Sequence, residues 1–152
     1  MTSDKATCPS GDEKVLLFGL LLETNARLAK DFGAELEAKC DVPLAWFDVL
    51  LQLRRNESGR LKMNQIAEAI VHSTGGTTRL IDRLEEMGYV RRENCPSDRR
   101  AIFVAITDAG NHKLDEALAV HVAFLETSLA QRLNDAERVA LSGLLNKLIA
   151  VG

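Results

Sequence analysis

Thr74, Gly75, Gly76, Thr77, Thr78 and Arg79 put three short hydroxyl side chains, two residues without side-chain bulk and one forked cation side by side. Hydroxyls and a guanidinium can hydrogen-bond the edges of base pairs, and small residues let a backbone approach a sugar-phosphate strand. Downstream, Arg91, Arg92, Arg99 and Arg100 fall within ten residues. Arginine is the side chain best suited to a narrow, strongly negative minor groove. Together these residues offer a grip on phosphates combined with base reading.

Bond-making chemistry finds no comparable footing. The chain has no HExxH, no GxSxG and no GxxxxGK[ST], and His72, His112 and His121 are not spaced with acidic residues as metal ligands are. The three cysteines, Cys8, Cys40 and Cys95, contain no CxxC and are odd in number, so neither a disulfide framework nor a zinc site is expected. The expectation is a protein that is not an enzyme and needs no metal or cofactor. Its net charge of −3 conceals a division: Arg54 to Arg100 holds 10 Arg and Lys against 7 Asp and Glu, and the remainder holds 9 against 15. A basic middle in an acidic frame suits a module that meets nucleic acid with one face. No stretch reaches the roughly 18 apolar residues of a membrane span, and the start lacks a basic-then-apolar signal pattern. A cytoplasmic protein without a membrane partner follows as an expectation.

The elements that must position these residues read as mainly α with a small β-wing. Residues 1–11 carry Pro9, Gly11 and small polar residues without period, which predicts a flexible arm; residues 12–152 read as one domain. From Asp12 a helix runs to about Cys40, apolar nearly all round in its first half. Asp41 is the expected cap of a second helix, with Pro43 in its first turn and Leu44, Phe47, Leu50, Leu51 and Arg54 at helical spacing. A short extended piece at Leu61–Met63 leads into a third helix, with Ile66, Ala67 and Ile70 on its apolar face.

His72 and Ser73 form a turn, and Ser73 or Thr74 is the expected cap of a fourth helix. In that helix Leu80, Ile81, Leu84 and Met87 point inward, while Thr77, Thr78, Arg79, Arg83 and Glu86 point outward. Gly75 and Gly76 inside it would cost about 1 kcal/mol each against alanine; the alternative is that they form a loop before the helix. Gly88 ends the helix. The runs YVRREN and AIFVAIT, joined by CPSDRR, form a hairpin with a charged tip. From Asp108, an expected cap, a long helix carries Leu114, Leu118, His121 or Val122, Leu125, Leu129 and Leu133. Asn134 and Asp135 break it before a last helix rich in leucine. This order is a winged helix-turn-helix lobe over residues 43–108, flanked by helices over 12–40 and 109–152. The surplus apolar surface of the flanking helices predicts dimerisation with a second copy.

The stretch STGGTTRLIDRLEEMGYVRRENCPSDRRAIFVAITDAG resembles the MarR family of winged-helix transcription regulators. Asp98 and Arg100 stand at the Asp-x-Arg motif of the family's wing, and Thr107 and Gly110 at its Thr-x-x-Gly exit. The resemblance implies a homodimeric, sequence-specific regulator of double-stranded DNA that is a repressor in most members. It places Arg100 in the minor groove with Asp98 holding it, and Ser73, Thr77 and Arg79 toward the major groove; Thr74, Thr78, Arg83 and Arg99 complete the expected DNA-contacting set. It also implies release from a pseudo-palindromic operator when a small phenolic or other anionic effector enters a cleft between the dimer helices and the DNA-binding lobe. Trp46, Asn25, Arg27 and His72 are the residues expected to line that cleft, against the plainer roles of a core aromatic for Trp46 and a paired or solvated charge for Arg27. The stretch VLLFGLLLETNARLAKDF of the first helix has no cysteine, unlike that of the peroxide-sensing members; Cys95, among the wing arginines that would lower its pKa, is the one alternative thiol sensor. A winged helix that contacts only protein is the other alternative, disfavoured by the polarity of CPSDRR.

Overall fold

The computed structural model describes residues 9–70 and 76–150. Pro9–Gly11 form a single 3-10 turn, and the rest of the expected arm lies outside the described residues. Helix α1 (Glu13–Cys40) starts where the Asp12 side chain accepts from the Lys14 amide at 2.8 Å. It ends at Asp41, which takes the left-handed conformation (φ 55°) and donates its N–H to the Glu37 carbonyl. Asp41 thus closes α1 and does not cap the next helix, as was expected from its place before Pro43. Pro43 is itself the N-cap of α2 (Leu44–Arg55), its fixed φ allowing its carbonyl to accept the first helical bonds.

α2 is the hub of the core. Phe47, Val49, Leu50 and Leu53 are buried, with Leu44 and Leu51 half-buried against them. Val49 and Leu53 belong to this buried face although the three-and-four spacing did not include them, because neighbours cover α2 on more than one side. Around it pack Phe32 and Leu36 of α1, Ile66 of α3 (Met63–Ala69), Ile81 and Leu84 of α4 (Thr77–Glu86), and Leu114 and Ala117 of α5 (Asp108–Leu125). Each large side chain buried in this way contributes about 1.5–3 kcal/mol. Ala67, expected in the core, is exposed.

The sheet has the order β1-β3-β2, all antiparallel: β1 (Arg60–Lys62), β2 (Val90–Asn94) and β3 (Ile102–Ile106). Val90 pairs with Ile106 and Arg92 with Val104, so Val90 and Val104 are buried while Arg91 stands outward. The hairpin lies where YVRREN and AIFVAIT predicted it.

Two joints hold the recognition segment against the wing. At the end of α4, the Gly88 amide bonds to the Glu85 carbonyl and the Tyr89 amide to the Leu84 carbonyl, both at 2.9 Å, with Gly88 at φ 75°. This double closure needs a left-handed residue, which glycine supplies without strain. Met87, expected inward, is instead 52% exposed because the chain leaves the helix there. The second joint is Arg92. Its guanidinium donates to Glu85 at 2.7 Å and to Asp82 at 2.6 Å, and its backbone N–H donates to the other Glu85 oxygen at 2.8 Å. The wing strand and α4 are thereby clamped as one piece.

α5 begins against this joint. Thr107, not Asp108, is its N-cap: the hydroxyl accepts from the Gly110 amide at 3.0 Å and donates to the Gly88 carbonyl at 2.6 Å. Asp108 falls in the first turn, where its charge suits the helix dipole. A Cβ on Gly110 would lie 2.1 Å from the Tyr89 carbonyl oxygen and 2.9 Å from Ile106. Arg54 of α2 adds a polar tie to α5, donating to Asn111 Oδ1 at 3.0 Å and to the Asn111 carbonyl and Asp115, each at 2.5 Å. His121 faces the core side of α5, and Val122 is 65% exposed. After Leu125 the helix widens into a π turn, Glu126–Ala130, with the Thr127 and Ser128 hydroxyls on the Phe124 carbonyl. α6 (Asp135–Ile149) opens with a reciprocal cap between Asn134 and Glu137.

Among the described residues no helix is long and apolar enough to cross a membrane, and no three His, Cys, Asp or Glu side chains could hold a metal ion. Two stability predictions follow from the joints. Gly110→Ala gains about 1 kcal/mol of helix propensity but meets a backbone carbonyl, so a net loss of about 2–3 kcal/mol is expected in urea unfolding; an unchanged midpoint would show that α5 does not sit this close to Tyr89. Arg92→Met keeps the aliphatic stem and removes the charged bonds. A loss of about 1–2 kcal/mol is expected, discounted for partial exposure, and a change below about 0.5 kcal/mol would mean that the clamp carries no stability.

Candidate nucleic-acid interface

Helix α4 starts at Thr77 with Gly76 as its N-cap, in an extended conformation and without a side-chain cap bond. Gly76 therefore precedes the helix, as the loop alternative had it, and its cost inside a helix does not arise. A helix with a glycine N-cap leaves its first N–H groups open to solvent or to an anion. Ser73 and Thr74, expected as its cap, together with His72 and Gly75, lie outside the described residues; the capping position itself belongs to Gly76.

On α4, Thr78, Arg79 and Arg83 are exposed and Thr77 is half-buried. Ile81 and Leu84 anchor the opposite face, so the polar stripe stands on a rigid support. Asp82 and Glu85 share this helix and would repel phosphates if left unpaired. Arg92 neutralises both.

The wing divides its arginines between two tasks. Arg92 is the structural clamp, and Arg91 binds Glu93 at 2.9 Å, a carboxylate that also accepts from Arg60 at 3.3 Å. These two cations hold the Glu93 carboxyl below its usual pKa, Arg91 more than Arg60. Arg91 and Arg92 were expected to extend the charged tip, and both are instead engaged with acidic neighbours. Arg99 and Arg100 are different: they are exposed at the turn and, as on Arg79 and Arg83, their guanidinium groups form no hydrogen bond or ion pair with another described residue. Asp98 shapes this turn through backbone bonds, its Oδ1 accepting from the Arg100 N–H at 2.9 Å and its carbonyl from the Ala101 N–H at 3.1 Å. It thus positions Arg100 through the main chain and leaves the guanidinium unbound.

Cys95 lies at the base of the tip with its Sγ 3.2 Å from the Ser97 hydroxyl. That hydroxyl, followed by the Ser97 backbone, lowers the thiol pKa, with a smaller charge contribution from Lys62. Nearby, Arg60 and Lys62 lie over the Phe103 ring at 4.9 and 5.9 Å, adding cations to the β1 edge of the same sheet.

Of the residues expected in an effector cleft, the described ones, Trp46, Asn25 and Arg27, are not gathered together. Trp46 packs against the core and meets Tyr89 edge-on, with centroids 6.1 Å apart. Arg27 is exposed and bonds to Glu23 one turn back at 2.5 Å, the plainer of its two expected roles. Asn25 does line a cavity between α1, α2 and α5, along with Phe32, Phe47, Phe124 and His121. Sequence reasoning missed those rings and His121 because their helical spacing reads as ordinary core. The clamp had a signal that went unread: Asp82 and Glu85, three apart on one helix, followed by an arginine in the next strand.

A family model described as MarR family matches residues 41–101, from the end of α1 to the wing tip. An uncharacterized HTH-type transcriptional regulator of Bacillus anthracis is 32% identical over 108 residues, covering 71% of this chain and 70% of the relative. Among solved structures, the MarR family regulator AbsC of Streptomyces coelicolor superposes with a TM-score of 0.78 at 27% identity, covering 94% of this chain and 96% of its own. Sco3205 from the same organism, a MarR family transcriptional regulator crystallised in complex with DNA, gives a TM-score of 0.78 at 25% identity over 88% of this chain and 87% of its own. With its winged helix-turn-helix and this relationship along most of its length, the chain belongs to the MarR family of transcription regulators.

Proposed function

We propose that the chain acts as a homodimeric, sequence-specific DNA-binding repressor that holds a pseudo-palindromic operator in the cytoplasm and leaves it when a small molecule binds. The observation that carries this reading is the separation of cations: Arg79, Arg83, Arg99 and Arg100 lack a partner among the described residues, while the arginines around them are paired. An unpaired guanidinium on a fixed support can take up a phosphate or a groove edge without first breaking an ion pair. In this reading Thr77, Thr78, Arg79 and Arg83 face the major groove, and Ser73 and Thr74, just before them in sequence, belong to the same surface. Arg99 and Arg100 enter the minor groove from a turn shaped by Asp98. That the similar Streptomyces regulator was crystallised in complex with DNA supports DNA as the partner.

Support for the dimer comes from apolar surface. Val15, Leu16, Phe18 and Leu20 on α1 and Val139, Leu144, Leu148 and Ile149 on α6 are all exposed, up to 79% for Ile149. Two helices so rich in exposed large side chains are costly in water, and a second copy would bury them at about 1.5–3 kcal/mol per side chain. A two-fold arrangement then presents two α4 helices to two half-sites of an inverted repeat. A wing that contacts only protein finds no support in a tip made of Ser97, Asp98, Arg99 and Arg100.

Selection of genomic fragments by the purified protein at near-physiological salt tests this reading; an enriched inverted repeat is expected, and no enrichment by a folded dimer would refute it. On the selected fragment, Arg100→Ala should weaken binding by about 1–3 kcal/mol, roughly five- to 150-fold, with the dimer unchanged in light scattering. Wild-type affinity in this variant would remove the wing from the interface.

A further inference from the structure

α2 and α5 run in opposite directions along each other, and the two ends of their contact differ in kind. Phe47, near the start of α2, meets the His121 imidazole at 5.1 Å, and His121 Nδ1, closed to solvent, has no hydrogen-bond partner. Leu50, Leu53, Leu114 and Ala117 are buried in the core that the two helices share. Apolar burial is non-directional, and packed helices cross with a scatter of about 15–20° around their preferred angles.

The end at Arg54 is directional. Its Nε donates to Asn111 Oδ1 at 3.0 Å, Nη2 to the Asn111 carbonyl at 2.5 Å and Nη1 to Asp115 at 2.5 Å. Asn111 and Asp115 lie one turn apart on one face of α5, so all three nitrogens of one planar group engage a single helix. A flat fork bonded at three points fixes both the height and the rotation of α5 against α2, which a point charge does not do. The Arg54 side chain is 30% exposed and that of Asp115 64%, and an ion pair so close to solvent adds little stability. What the fork supplies is geometry.

Its place in the fold gives that geometry leverage. Ile81 and Leu84 of α4 share the core of α2, whereas α5 runs on through its π turn to α6 and the exposed apolar side chains there. From Asn111 to Leu125 α5 rises about 21 Å, so a tilt of about 5° against α2 moves its far end by roughly 2 Å. A two-fold partner doubles that shift, to about the 3.4 Å between successive base pairs. Half-site spacing is thus sensitive to how firmly this one crossing is held.

We propose that Arg54 is a positioning residue that sets the separation of the two DNA-binding lobes in the dimer, and with it the half-site spacing the dimer accepts. The inference rests on the reading of the chain as a dimeric regulator of an inverted repeat. Arg54 acts through α5 and not by touching DNA. A crossing held before DNA arrives leaves no ordering to the binding step, which favours one spacing over its neighbours.

Wild-type protein, Arg54→Met and Arg54→Lys are titrated with the selected inverted repeat and with duplexes whose spacer is one base pair shorter or longer. The wild type should prefer the selected spacing at least about tenfold, and Arg54→Met, which keeps the aliphatic stem and loses the fork, should prefer it less than about threefold. Arg54→Lys, which reaches Asp115 as a point charge without forking onto Asn111, should fall between them. In parallel, spin labels at Glu86→Cys, exposed on α4, in a chain with Cys8→Ser, Cys40→Ser and Cys95→Ser, report the distance between the lobes. One narrow distribution is expected with Arg54 and a broader one with Arg54→Met. If Arg54→Met fails to form a folded dimer, Asp115→Ala at an exposed position carries the same comparison with a smaller loss. Equal loss of affinity at every spacing, an unaltered preference, a wild type indifferent to spacing, or unchanged label distances would each overturn the proposal. A folded wild-type dimer that binds none of the duplexes refutes the DNA-binding reading, and the label distances then decide whether Arg54 sets the separation of the lobes.

Discussion

The bridge from Arg92 to Asp82 and Glu85 is the interaction on which the DNA-facing side depends. α4 and the wing are separate surface elements, each anchored in the core by a few buried side chains, Ile81 and Leu84 on one and Val90 and Val104 on the other. One guanidinium spanning two carboxylates of α4, with the Arg92 amide on Glu85, makes them a single body. It also neutralises two negative charges on a helix that carries Arg79 and Arg83. Sequence charge and available charge therefore differ: several arginines of the basic middle are committed to holding the lobe together, while Arg79 and Arg83 on α4 and Arg99 and Arg100 at the wing tip are free. An interface built this way can be strongly cationic where it touches DNA although the whole chain has a net charge of −3.

The clamp works because the backbone beneath it is closely constrained. The left-handed Gly88 turns the chain from α4 into β2, and Thr107 bonds to the carbonyl of that same glycine while capping α5. Gly110 lets α5 approach the Tyr89 carbonyl more closely than any side chain would permit. Recognition helix, wing and the first turn of α5 thus meet within a few residues, and Arg54 fastens the same helix to α2 through Asn111 and Asp115. A change in how α2 sits on α5 has a continuous packed route to the DNA-facing surface.

Most of this organisation was legible in the sequence. Helical and alternating periods located the helices and the wing hairpin, because core-facing positions recur with the geometry of each element. Thr107 and Gly110 stood out as a motif, and the structure gives their reason: one is a cap and the other a close contact. Cap positions were harder where two candidates lie close together, as with Asp41 and Pro43 or Thr107 and Asp108, since the local preference does not say which residue takes the extended conformation. Partnership of charges left a sequence signal only at the pair Asp82 and Glu85, followed by an arginine in the next strand. Whether an arginine is free or clamped depends on strand register and on the acids that register brings near, so Arg91 and Arg92 could not be told from Arg99 and Arg100 by composition. Trp46 and Arg27 were attractive as ligand residues by type alone, while His121, on a leucine-rich seam, gave no sign that its nitrogen would lack a partner.

The central claim is that the wing arginines are divided, with Arg92 holding the interface together and Arg99 and Arg100 contacting DNA. A crystal structure of the protein on a selected operator fragment tests it most directly, through the positions of these three guanidinium groups. Arg92 should remain within hydrogen-bond reach of both Asp82 and Glu85 while Arg99 and Arg100 lie against phosphates or in the minor groove. Arg92 bound to a phosphate, with Asp82 and Glu85 released, would contradict the account.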